Sequence, residues 1–171
     1  TSSLFIKVIG NSVVTEVSLL YWILVLFGLL MSISIHEFAH AYSAHLLGDD
    51  TAKNEGRMNI NPMNHFDYLG LALILFTFFG YGKPVPVNPN NYKNPVQGFM
   101  YTSLAGPISN VLIAFIVGIL FLMFKDIAAV QGDISSLSGV LTGIGSTLVY
   151  ALPIVGVINI GLAVFNLLPI Y

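Results

Sequence analysis

Val17-Ser18-Leu19-Leu20-Tyr21-Trp22-Ile23-Leu24-Val25-Leu26-Phe27-Gly28-Leu29-Leu30-Met31-Ser32-Ile33-Ser34-Ile35 is an uncharged run of 19 residues that ends on His36-Glu37-Phe38-Ala39-His40. A run of that length without charge reads as a membrane helix. Two histidines four residues apart on a helix lie one turn apart on one face, where both imidazoles reach one zinc ion. The glutamate between them then stands beside the metal, placed to take a proton from a water activated there. With the His and Glu content of this chain, shuffled sequences give the pattern roughly twice in a thousand. A carboxylate and two imidazoles at membrane depth are expensive. A functional role therefore outweighs the bland alternative, an incidental polar end of a helix.

The remaining composition agrees with a membrane setting. The chain has 171 residues, of which 56% are hydrophobic and 8% charged. Its mean hydropathy of +0.83 is outside the range of soluble domains. A net charge of -2 without a basic patch points to no nucleic acid. The absence of cysteine excludes disulfides, thiolate catalysis and Cys-ligated metals. The N-terminus lacks the basic start, apolar core and small-residue cleavage site of a signal peptide.

The first apolar stretch extends to Leu47, about 46 Å as a helix against a hydrocarbon core of about 30 Å. The His-Glu motif therefore lies near one edge of the core, and Gly48-Asp49-Asp50 predicts the stop. Gly98 to Phe124 is a second span, interrupted only by Pro107 and Asn110. Ile134 to Tyr171 is also uncharged. Its start, with Gly139, Gly143 and Gly145, predicts an entry loop or a close-packing face, with the membrane helix at about Ser146 to Leu168.

Tyr68 to Gly82 is uncharged but reaches only about 22 Å as a helix, short for a span. Lys53, Arg57, Lys83 and Lys93 flank it on both sides, which puts both flanks in the cytoplasm. It reads as a re-entrant segment shielded by protein. Asn166-Leu167-Leu168-Pro169 then ends on the same side of the membrane as the histidines. A full crossing by Tyr68 to Gly82 would separate them.

Arg57-Met58-Asn59-Ile60-Asn61 alternates polar and apolar residues and reads as a short strand. Lys83-Pro84-Val85-Pro86-Val87-Asn88-Pro89 must be extended, because its prolines forbid a helix. Both are either plain connections or an exposed edge on which an extended peptide lies. The expected fold is an all-α polytopic membrane protein with about three membrane-spanning helices, a re-entrant segment and short β or extended loops. It forms a single domain over residues 1–171, with 1–16 an N-terminal segment of no assigned role.

Five motifs in this order resemble the site-2 protease family, the zinc metalloproteases that cut inside membranes. They are His36-Glu37-Phe38-Ala39-His40-Ala41, Gly56-Arg57 through Asn61-Pro62, Pro84-Val85-Pro86-Val87-Asn88-Pro89, Ala105-Gly106-Pro107 with Asn110, and Phe165-Asn166-Leu167-Leu168-Pro169-Ile170. The resemblance covers about Leu29 to Tyr171 and is to a compact prokaryotic branch without a PDZ insertion. It implies His36 and His40 as zinc ligands, Glu37 as the catalytic glutamate, and Asn166 as a residue that steadies the scissile carbonyl or its oxyanion. It implies one zinc per chain and a third ligand, the Asp of a Leu-Asp-Gly run, beyond Tyr171. On that account the chain reads as truncated at its C-terminus. The implied reaction is hydrolysis of a peptide bond within or near a transmembrane segment of a membrane-protein substrate. The implied setting is a prokaryotic plasma membrane, with the lipid bilayer around the protein and the active site near the cytoplasmic side.

Other polar residues carry less. His45 lies about 140° round the helix from His40, off the metal face. His65 reads as an interfacial loop residue. Asp49, Asp50 and Asp67 are loop acids, either solvated or substitutes for the third ligand. Asn110 either bonds across helices or serves the site. The competing class is a non-enzymatic membrane protein, a metal transporter or an inactive protease-like binding module. A transporter places polar residues along a path through several helices, whereas here they gather at one end. An inactive relative is expected to have lost Glu37.

Overall fold

The computed structural model of the chain describes residues 12–65, 67, 70, 83–128 and 137–168. Three long helices dominate. Helix α1 spans Ser12–Leu46, α3 spans Pro95–Ala128 and α4 spans Leu137–Leu167, with a single-turn helix α2 at Thr51–Asn54. Three stretches of the long helices are long and apolar enough to cross a membrane: Leu19–Leu46, Pro95–Asp126 and Gly139–Leu167. The chain is an all-α polytopic membrane protein, as its sequence predicts.

Side chains in these helices are sorted opposite to those of a soluble protein. Trp22, Phe27, Phe115, Leu122 and Val157 are exposed, while Ser32, Ser34, Asn110, Thr147 and Asn159 are buried. In lipid, apolar side chains gain nothing by turning inward, and small or polar residues bring helices together. The chain divides into two compact units, Thr1–Gly28 with Ala114–Val157, and Leu29–Ile113 with Ile158–Tyr171. In the first, a Cβ on Gly28 would stand 2.6 Å from a methyl of Val155, and one on Gly156 would stand 3.3 Å from a methyl of Val117. The absence of side chains at these two glycines lets the helices meet. In the second unit, Asn159 donates to the Ser32 hydroxyl at 2.8 Å, joining α4 to α1.

Helix α1 stops where Gly48 predicts. The Asp49 N–H returns to the Ala44 carbonyl and the Gly48 N–H to the His45 carbonyl, with Gly48 at φ 102. This is the double bond pattern that closes a helix on a left-handed residue.

Two expectations are corrected. Helix α4 begins at Leu137, so Gly139, Gly143 and Gly145 are helical and form no entry loop. Backbone groups in an apolar medium must bond within their own segment, and that requirement overrides the low helix propensity of glycine. The hydroxyls of Ser146 and Thr147 also donate to the carbonyls of Thr142 and Gly143, at 2.8 Å each. The segment from Arg57 to Asn61 forms no strand, and none exists among the described residues. Its asparagines bond locally instead. Asn59 Nδ2 donates to the Gly56 carbonyl at 2.6 Å and the Asn61 N–H donates to Asn59 Oδ1 at 2.9 Å. Such turns compete with a ladder for the same backbone groups. The re-entrant segment expected over Tyr68 to Gly82 lies outside the described residues, Gly70 excepted.

Candidate metal centre

The site is built in the unit that contains the ends of α1 and α4 and the start of α3. His36 and His40 lie on one face of α1, their rings edge-on at 85° and their centroids 4.6 Å apart. The two Nε2 atoms stand 3.0 Å apart. Two nitrogens on one tetrahedral zinc are roughly 3.3 Å apart, given bond lengths near 2.0–2.1 Å. His40 Nδ1 lies 2.6 Å from the Thr102 carbonyl oxygen, which can only accept. The His40 proton therefore sits on Nδ1, and its Nε2 lone pair points at His36. A cation at that point would be held by both nitrogens, so the pair fits zinc.

Gly106 on α3 makes the room. A Cβ there would stand 2.6 Å from His36 Nε2 and Cε1 and would also strike His40 Nε2. Thr102 has a second tie, its hydroxyl lying 3.0 Å from the buried Tyr92 hydroxyl. The carbonyl that orients His40 is thereby anchored by its own side chain.

Glu37 turns to the Pro-rich loop. Its Oε2 accepts the Val85 N–H at 2.9 Å, and its Oε1 has no partner among the described residues. The loop is fastened at three further points. Arg57 Nη2 donates to the Lys83 carbonyl at 2.7 Å, the Lys83 N–H donates to the His65 carbonyl at 2.9 Å, and the Asn88 N–H donates to Asp49 Oδ2 at 2.7 Å. Val85 packs with Ala41 and Ala52 in a small core. Lys83 to Asn88 forms no helix, as its prolines require, while Pro89, expected to be extended, opens a 3-10 turn over Pro89–Asn91.

An open pocket of about 310 Å³ joins these parts. His36, Glu37, His40, Val85, Val87 and Asn166 are among its lining residues. Asn166, which is exposed, comes to the pocket from the end of α4, its Nδ2 donating to the Leu162 carbonyl at 2.8 Å. The four residues named from the sequence therefore share one cavity.

The weaker candidates fall elsewhere. His45 pairs with Asp50 at the protein surface. Asp49 is neither solvated nor at the pocket. It is wholly buried and accepts from Thr51, Asn88 and Asn91. Burial pushes its carboxyl upward, but these hydrogen bonds outweigh it and hold the group below the usual carboxylate range. Asp67 Oδ1 accepts the Gly70 N–H at 2.9 Å. His65 is buried, its Nε2 2.7 Å from the Asn59 carbonyl oxygen. Among the described residues no third His, Asp or Glu joins the histidine pair. Sequence reasoning missed the parts played by Thr102, Val85 and Asp49. Two of them act through backbone atoms that every residue carries, and Asp49 through hydrogen bonds that only the folded loop supplies.

Comparison with known proteins agrees with this chemistry. The chain is 48% identical over 88 residues to Putative zinc metalloprotease YwhC of Bacillus subtilis, a match covering 52% of this chain and 40% of that protein. It is 33% identical over 97 residues to Putative zinc metalloprotease Rip2 of Mycolicibacterium smegmatis, covering 54% and 38%. It is 29% identical over 99 residues to the protein of the same name from Mycobacterium tuberculosis, covering 56% and 38%. No protein-family model matches the chain, and no solved structure does. The relatives carry the name of putative zinc metalloproteases. The chain is a homologue of these bacterial proteins, which bears out the resemblance read from its motifs. It spans about two fifths of their length.

Proposed function

We propose that the protein is an intramembrane zinc metalloprotease of the site-2 type, which hydrolyses a peptide bond within or near a transmembrane segment of a membrane-protein substrate. The observation that carries this reading is the convergence of His36, Glu37, His40 and Asn166 on one pocket beside the Pro-rich loop. His36 and His40 would hold one zinc through Nε2, with a carboxylate as the third ligand. Zinc, when bound, supplies a Lewis acid that polarises a carbonyl and acidifies water.

The chain's own groups do the rest. Glu37 keeps Oε2 on the Val85 N–H and uses Oε1 to take the proton of the attacking water. It then returns that proton to the leaving amine. Asn166 turns its amide from the Leu162 carbonyl toward the oxygen on which charge develops. A substrate helix must unwind to expose a scissile carbonyl, and the Pro-rich Lys83–Asn88 segment gives the unwound strand a surface to lie along. The setting in this reading is a prokaryotic plasma membrane, with the pocket near its cytoplasmic face.

Zinc analysis of the purified full-length protein, together with cleavage of a reconstituted single-span substrate, tests the proposal. One zinc per chain, lost with cleavage in His36→Ala and His40→Ala, is the expected result. Zinc uptake and cleavage unaffected by both substitutions would overturn it.

A further inference from the structure

Asn110 is wholly buried on α3, one helical turn beyond Gly106. Neither its Oδ1 nor its Nδ2 has a hydrogen-bond partner among the described residues, and the buried Nδ1 of His36 has none either. Asn110 follows Gly106 by four residues and so shares its face of α3, and a Cβ at Gly106 would stand 2.6 Å from the His36 ring. An amide kept only to join helices would bond another helix, and among the described residues Asn110 does not.

His40 shows what His36 lacks. The Thr102 carbonyl at His40 Nδ1 stops that ring from turning and fixes which nitrogen presents its lone pair. Metal-binding imidazoles are generally held in this way through their other nitrogen. Without such a hold, rotation of the His36 ring would carry Nε2 away from its meeting point with His40.

We propose that Asn110 is the positioning residue for His36, bonded to its Nδ1 directly or through one buried water, and that it aims Nε2 at the metal position. This rests on the reading of His36 as a zinc ligand. An amide suits both states of the ring. Its Oδ1 accepts an Nδ1 proton when the Nε2 lone pair serves a cation, and its Nδ2 donates to a bare Nδ1 when Nε2 carries a proton toward His40. A buried site with three or four polar atoms is also the kind that retains a single water.

The test uses the full-length protein in detergent and compares wild type, Asn110→Leu and Asn110→Asp. The first readout is the nitrogen-15 resonance of the His36 and His40 rings without metal. The second is zinc affinity. Asn110→Leu is expected to move the His36 Nδ1 resonance while leaving His40 Nδ1, held by Thr102, in place. It is expected to weaken zinc binding about 10- to 100-fold. Asn110→Asp, which keeps an acceptor oxygen, is expected to bind within a few-fold of wild type. Should Asn110→Leu fail to fold, Asn110→Ala gives the same readouts. An unmoved His36 Nδ1 resonance in the Leu or Ala variant overturns the proposal. If the wild type takes up no zinc, the metal reading fails by itself, and the His36 resonance still decides the role of Asn110.

Discussion

His36 Nε2 lies 2.6 Å from where Gly106 would carry a Cβ, so a methyl at residue 106 and the present His36 ring exclude one another. Gly106→Ala is therefore expected to displace one or both imidazoles. The predicted outcome is zinc affinity lower by tenfold or more, with the helices still folded. Metal titration alongside a melting curve checks it, and retained affinity would show that the rings have room to spare.

Glu37→Gln should leave both zinc content and the loop intact. A glutamine oxygen still accepts the Val85 N–H, as Oε2 does now at 2.9 Å. It cannot take a proton from water, and loss of one general base lowers a rate by about two to four orders of magnitude. Cleavage assays at matched zinc occupancy measure this. Turnover near wild type would remove Glu37 from that role.

Asp49 should give the protein a stability that depends on pH. Its folded carboxyl titrates below the ordinary value of 3.8. The stabilising contribution is thus complete above that value and falls away as pH drops through the lower, folded one. Thermal melts from neutral pH down to about 3 should show Asp49→Asn less stable at neutrality and flatter on acidification. Parallel curves for the two proteins would contradict the assignment.

Asn166→Ala should slow cleavage without touching metal. Its present partner is a carbonyl of its own helix, so neither the fold nor the histidines depend on it. Loss of one donor to a developing oxyanion lowers kcat by about 10²–10³. A fall in zinc content would instead mean that residue 166 supports the ligands.

Much of this was legible in the sequence because the signals are short-range. The spacing of His36, Glu37 and His40 sets a helical face, uncharged length sets the spans, and Gly48 sets the end of α1. The glycines of α4 misled because propensities measured in water do not govern a helix in lipid. The stretch from Arg57 to Asn61 misled because alternation says nothing about whether a partner strand exists, and asparagine turns were the stronger competitor. The Asn166 position was reached through the motif and chain parity, which no local pattern supplies. The hold on His40 by Thr102 had no signal, since any residue at 102 offers a carbonyl.

The bond from the Val85 amide to Glu37 has a consequence for how a protease of the proposed kind would diversify. The anchor of the base is a main-chain N–H, present whatever side chain residue 85 bears, proline excepted. Val85 and Val87 meanwhile form part of the pocket wall. In that reading, selectivity would change through these two side chains while the hold on Glu37 stayed the same.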